Sequence, residues 1–226
     1  MADIQQDKME KIIIVGAGGH AAEINDYIAF YNELQNKNSD KFDVVGFIDD
    51  NPESYKRYNF NAPYLGEIKS HKIDNNCKYI IAIANINYRR PIIESFLERG
   101  AFFLTFIHPS AFISKTSIIG VGSVIAPNVN IGPNVNIGKY NIINARASIG
   151  HDTSIGDYNF ITPNVCFSGF SKIGNENMFG INSVTIPNIS IGSNNKIAAG
   201  MVIDKNIKDN TTVFYRFKER IIAIKK

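Results

Sequence analysis

"IGVGSVIAPNVNIGPNVNIG", residues 119–138, places isoleucine at 119, 125, 131 and 137. The spacing of six continues in both directions without an insertion. Isoleucine stands at 107, 113, 143, 149, 155, 161, 173, 191, 197 and 203, and Phe167, Phe179 and Thr185 fill the remaining slots. A helix repeats its inner face every 3.6 residues and a strand every two. A period of six sustained over this length is the signature of a parallel β-helix of hexapeptide repeats. Each isoleucine is read as pointing inward and stacking on its counterparts in neighbouring turns, away from water. Three hexads would close one turn of a triangular prism, which gives just over five turns between 113 and 203.

The other columns support this reading. Glycine often follows the inward residue, as at 120, 132, 138, 150, 156, 174, 180 and 192. Three positions after it, asparagine is common: Asn128, Asn134, Asn164, Asn182, Asn188 and Asn194. Asparagine and glycine accept the left-handed backbone that a tight corner needs. After Asp204 the repeat fades, and TTVFYRFKERIIAIKK (211–226) is read as a strand or helix capping the prism.

Residues 11 to about 106 have a different grammar. KIIIVG (11–16), DVVGFIDD (43–50) and KYIIAIAN (78–85) read as buried parallel strands. HAAEINDYIAFYNEL (20–34) carries Ala21, Ile24, Ile28 and Tyr31 on one helical stripe, and NYRRPIIESFLERG (87–100) is a helix closed by Gly100. AFFLTFIHP (101–109) reads as a last strand. The fold class is therefore an α/β Rossmann-like domain, residues 1–106, followed by a parallel β-helix with a C-terminal cap, residues 107–226.

Composition excludes several functions. A net charge of +3, with no Lys/Arg cluster, gives no phosphate-tracking surface for nucleic acid. Nothing approaches the ~20 apolar residues of a membrane span. The polar start MADIQQDKMEK is unlike a secretory signal, and Cys77 and Cys166 lack metal-type spacing, so a reduced, cytoplasmic setting is expected.

Taken together, GAGGHA (16–21), FIDD (47–50), IHPSA (107–111) and the unbroken hexads resemble the bacterial sugar acyltransferases of the left-handed β-helix class. The narrower likeness is to enzymes that N-acetylate nucleotide-linked amino sugars and to sialic-acid O-acetyltransferases. The resemblance covers about residues 10–210. It implies a left-handed prism, a homotrimer, acetyl-CoA as co-substrate in clefts between prisms, and no resident cofactor or metal. It also implies that the N-terminal domain holds the nucleotide sugar.

The resemblance places the catalytic histidine at His151, followed by an acidic residue, here Asp152. Unaided, a lone histidine is a surface or core residue; its place just past Ile149, one turn from Gly169, favours a base. A neutral imidazole accepts a proton from an attacking amine near working pH. Asp152 reads equally well as its orienting partner or as a corner residue. Gly169 is the candidate backbone donor for a thioester oxyanion. Ile181, Ala199 and Gly200 match acetyl-CoA-cleft positions. Gly18, Gly19, His20, Asp49, Asp50, Ala84 and Asn85 match the sugar-nucleotide site, where a glycine turn opening a helix would receive phosphate. His108 is read as a junction residue and His71 as a surface residue without company.

Two departures stand out. Relatives carry a second histidine where this chain has Phe160, and a Gly-x-Pro-Ala stretch where it has VFYRFKER (213–220), leaving Arg216 or Lys218 to meet CoA phosphates. Hydroxyl acetylation and a non-catalytic sugar-binding scaffold stay open as alternatives. A zinc carbonic anhydrase on the same prism would need three histidine ligands, and the repeats supply one.

Overall fold

A computed structural model of the chain describes residues 9–35 and 41–215. The N-terminal part holds a three-stranded parallel sheet. β1 (Met9–Val15) lies between β2 (Lys41–Ile48) and β3 (Lys78–Ile81). The apolar end of β1 is closed from both sides, so Ile12, Ile13, Ile14 and Val15 are all buried, as a central parallel strand requires. α1 (Gly19–Leu34) buries Ala21, Ile24 and Ile28. α2 (Pro52–Lys56) is a short helix N-capped by Asn51, and α3 (Ile86–Glu98) is N-capped by Asn85.

The strand ends differ from expectation. β3 stops at Ile81, four residues before Asn85, because Asn85 turns its side chain to the Asn87 amide and starts α3 instead. AFFLTFIHP is not a continuous strand. Phe103 bridges to Tyr79, and pairing resumes only at Phe106–Ile107. His71 is not solitary: its Nε2 lies 3.0 Å from the Tyr79 hydroxyl and its ring stacks on Phe96.

From Phe106 the chain forms a parallel β-solenoid of two-residue strands, each as far as Val202–Ile203 ending on the hexad position. Residues 18 apart pair in register, as Ser148 with Cys166 and Ile149 with Phe167. The strands stack into three faces. Face one carries Ile107, Ile125, Ile143, Ile161, Phe179 and Ile197; face two carries Ile113, Ile131, Ile149, Phe167, Thr185 and Ile203; face three carries Ile119, Ile137, Ile155, Ile173 and Ile191. From Ile125 to Ile203 this column is buried, each isoleucine contributing about 1.5–3 kcal/mol. Ile107, at the open first turn, is 37% exposed. The column is inward by register there, but no earlier turn covers it.

The solenoid also runs further than the isoleucine count. Ile207 bridges to Ile191, and Thr212–Val213 pairs with Lys196–Ile197 at a separation of 16 residues. A turn two residues shorter thus follows Asp204, making about six turns. The expected cap beyond Tyr215, including Arg216 and Lys218, lies outside the described residues.

Two polar devices lock the stack. Asn141, Asn159, Asn177 and Asn195 form a fully buried ladder, each Oδ1 accepting the next turn's amide. The corners use left-handed backbone at thirteen non-glycine residues, seven of them asparagine.

The N-terminal domain packs on face one. There the outward strand residues Phe106, Val124, Ile142 and Phe160 are buried and join the α/β core. On the other two faces the same position is often polar, as at Asn130, Ser148, Asn136, Ser154 and Lys172. Arg89 of α3, fully buried, lies over the Phe160 ring and donates through Nη2 to the Tyr158 carbonyl. Burial lowers its pKa to about 10. Arg90 pairs with Glu176 at 2.6 Å across the same boundary.

Candidate active site

His151 sits on the edge between faces two and three, where the chain turns from Ser148–Ile149 into Ser154–Ile155. The turn is fixed from both sides. The Asp152 amide donates to the Pro133 carbonyl one turn below, and the Phe170 amide donates to the His151 carbonyl from one turn above. Asp152 has φ +57, so it is a corner residue like Asn134 before it.

It is also more than that. Its Oδ2 lies 2.8 Å from His151 Nδ1, and its Oδ1 accepts from Asn134 Nδ2 at 3.1 Å. The hydrogen bonds from His151 and Asn134 hold the Asp152 carboxyl below the usual carboxylate range. With Nδ1 engaged, Nε2 is the nitrogen left to exchange a proton. The His151 side chain is 56% exposed, open on its outer side.

Gly169 stands one turn above the ring. A Cβ built on it would fall 2.8 Å from both Cε1 and Nε2 of His151, closer than side chains pack. The segment that carries Gly169 is braced: Ser168 Oγ donates to the Thr185 carbonyl at 2.7 Å, and Thr153 Oγ1 donates to the Ser168 carbonyl. The Phe170 ring meets the imidazole edge-on, centroids 5.2 Å apart.

The N-terminal candidates gather around the start of α1. Gly16 has φ +108, a conformation suited to glycine. Gly18, the N-cap, has ordinary φ −88, and a Cβ there would meet nothing within 4 Å. Space therefore lies beside Gly18 at the start of α1. The Tyr58 hydroxyl stands 2.9 Å from where a Gly19 Cβ would be, a neighbour that motif reading missed. His20 places Nδ1 3.2 Å from Glu23, and its ring meets Phe160 edge-on, with Nε2 buried and unpartnered.

The acids here have structural engagements. Asp49 accepts the Ala17 amide at 2.7 Å and the Asn51 amide at 2.8 Å, tying the glycine turn to the end of β2. Asp50 accepts the Ile68 amide at 2.9 Å. Asn85 spends its side-chain oxygen on the α3 cap, and Ala84 is exposed beside it.

The remaining candidates lie elsewhere. Ile181 and Ala199 succeed one another on the edge between faces one and two, and the Gly200 amide donates to the Ile181 carbonyl at 2.8 Å. A single chain thus carries three separate groups: the glycine loop against face one, the Ile181–Gly200 set on one edge of that face, and His151 with Gly169 on the edge opposite it. Among the described residues, no three of His, Cys, Asp and Glu come together as a metal site, and no helix is long and apolar enough to cross a membrane.

Comparison with known proteins follows the same division. Residues 11–96 match the family described as the PglD N-terminal domain. The acetyltransferase domain of PglB from Neisseria gonorrhoeae FA1090 is 25% identical, over 90% of this chain and 95% of that one, with a TM-score of 0.78. The same domain solved in complex with acetyl coenzyme A matches at 26% and 0.78, with the same coverage. PerB from Caulobacter crescentus, solved with CoA and GDP-perosamine, shares the fold at 22% identity, over 89% of this chain and 92% of that one, with a TM-score of 0.76. No curated protein sequence matches the chain.

Proposed function

We propose that this chain, which fits the left-handed β-helix family of sugar acetyltransferases, moves an acetyl group from acetyl-CoA to the amine of a nucleotide-linked amino-deoxy sugar. The observation that carries the reading is the His151–Asp152 pair pressed against Gly169 on an open prism edge.

The chemistry follows from that geometry. Asp152 holds the ring with hydrogen on Nδ1 and the lone pair on Nε2. The neutral amine attacks the thioester carbonyl, and Nε2 takes the proton the amine sheds. The Gly169 N–H is assigned as the donor to the developing oxyanion. Collapse of the tetrahedral intermediate expels the CoA thiolate, which takes the proton from the imidazolium. A positioned base of this kind contributes about 10²–10⁴-fold.

The sugar nucleotide is assigned to the loop at Gly18, Gly19 and His20, with Asp49, Asp50, Ala84 and Asn85 at its rim. Asp49 supports this loop through the Ala17 amide; direct ligand contact falls to the free face of the turn. The CoA moiety is assigned to Gly169, Ile181, Ala199 and Gly200. Since these groups occupy different sides of one prism, a complete site needs residues from two chains. That supports the homotrimer reading, with each cleft built from neighbouring prisms. The domain division at residues 106 and 107, and the cytoplasmic setting, belong to the same proposal.

Mass-spectrometric turnover of UDP-, GDP- and dTDP-linked amino sugars with acetyl-CoA tests it. Gain of one acetyl group with loss of the free amine is the expected result. Acetylation of sialic acid or another hydroxyl in place of the amine would move the assignment to O-acetyl transfer. Acetyl-CoA that neither binds nor turns over would leave a sugar-binding scaffold.

A further inference from the structure

Asp152 divides its two carboxylate oxygens between different turns of the prism. Oδ2 lies 2.8 Å from His151 Nδ1, and Oδ1 lies 3.1 Å from Asn134 Nδ2, one turn below. An ionised carboxylate only accepts, so the Asn134 side chain presents its NH2 to it. Asn134 is itself fixed. Its φ is +57, and its backbone amide donates to Thr116 Oγ1 at 2.9 Å, a further turn below. Corner side chains bond across turns elsewhere, as Arg146 to Asn164 and Asn194 to Asn210. Neither of those pairs carries on to a histidine.

The setting makes the second tether matter. The Asp152 side chain is 35% exposed and that of His151 56%. A surface carboxylate held at one oxygen rotates about χ2 and exchanges its partner with water. Held at both oxygens, it keeps its plane against Nδ1. We infer that Asn134 is a positioning residue for acetyl transfer: it fixes the Asp152 carboxylate and, through it, the Nδ1–H tautomer and the orientation of the His151 imidazole. The inference rests on the acetyl-transfer reading and adds a third member to the His151–Asp152 pair. The carboxyl is held below its usual range by His151 and next by Asn134, so both bonds favour the charged form that an Nδ1–H needs.

Asn134→Gly tests this, because glycine keeps the left-handed corner and removes the donor. The melting temperature should stay within a few degrees and the oligomer should persist. The kcat should fall about three- to tenfold, the scale of one hydrogen bond. The KM of both substrates should not move, since the residue acts through Asp152. For the same reason, adding Asn134→Gly to Asp152→Asn should lower kcat no further. Nitrogen NMR of the His151 ring, assigned by its loss in His151→Ala, should move from the Nδ1–H tautomer toward Nε2–H. Asn134→Asp keeps the shape and the corner but sets a like charge against Asp152, and should lower kcat at least as far. An unchanged kcat in Asn134→Gly, or a fall that repeats in full in the Asp152→Asn background, would overturn the inference and leave acetyl transfer intact. A wild-type protein inert toward every amino sugar would overturn the acetyl-transfer reading itself, and this inference with it.

Discussion

Gly169 has no side chain because His151 occupies its place: a Cβ there would fall 2.8 Å from Cε1 and Nε2 of the imidazole. The neighbour is the end of a movable side chain rather than backbone, so the fold can absorb Gly169→Ala by swinging the ring aside. The expected outcome is an intact solenoid by circular dichroism and a kcat lower by about 10²-fold, the scale of a 1 Å misplacement. Unchanged kcat with the folded variant would show that the ring's position against Gly169 has no part in the chemistry.

Asp152 has two roles that one substitution separates. Asparagine suits its left-handed corner and retains an oxygen for Nδ1–H, but loses the charge. Asp152→Asn should therefore melt within a few degrees of wild type while kcat falls roughly tenfold, part of the ~10²–10⁴-fold that a base supplies. The carboxyl is held below its usual range by His151 and Asn134. An acid with a depressed pKa makes its contribution above the ordinary carboxylate value and loses it as pH falls through the lowered one. The wild-type advantage over Asp152→Asn should thus persist through neutral and mildly acidic pH and shrink only below about pH 4. Equal kcat for both proteins at pH 7 would reduce Asp152 to a corner.

The hexad made the solenoid legible because a single inward residue per strand leaves a period that no other element imitates. Its polar interior was less visible: the ladder Asn141, Asn159, Asn177 and Asn195 sits one position past the left-handed corner column and merges by eye with the asparagines that fill that column elsewhere. The docking face was written in the sequence as apolar residues 18 apart at Phe106, Val124, Ile142 and Phe160, a signal that appears only when outward positions are sorted by face. His151 stood out as the ring no structural column required. Asn134 and Tyr58 did not, since contact across turns and loops is a property of the folded chain.

Gly18 and Gly150 provide a contrast between ligand space and packing. Alanine at Gly18 would project its methyl into open space with an ordinary φ. Alanine at Gly150 would drive into backbone, 2.6 Å from the Gly169 nitrogen. Gly150→Ala should lose about 1–3 kcal/mol by forcing turns apart, seen in chemical denaturation. Gly18→Ala should leave stability within ~0.5 kcal/mol yet weaken sugar-nucleotide binding in calorimetry. Undiminished affinity for Gly18→Ala would move the ligand away from the α1 N-terminus.

His151 and the Gly18 loop lie on opposite sides of the prism, one on the edge between faces two and three, the other against face one through His20 and Phe160. If transfer joins them, they must come from different chains, and defects in the two should complement. His151→Ala and Gly18→Leu proteins should each be inactive alone. In a trimer assembled from equal parts of both, a site works when its loop comes from the first variant and its histidine from the second. About one quarter of the sites meet that condition by random mixing. Recovery of activity near that fraction, in oligomers shown by native mass spectrometry to be mixed, is the expected result. Confirmed mixed oligomers without recovered turnover would place the loop and the base on the same chain's reaction path, and the two-chain site would have to be abandoned.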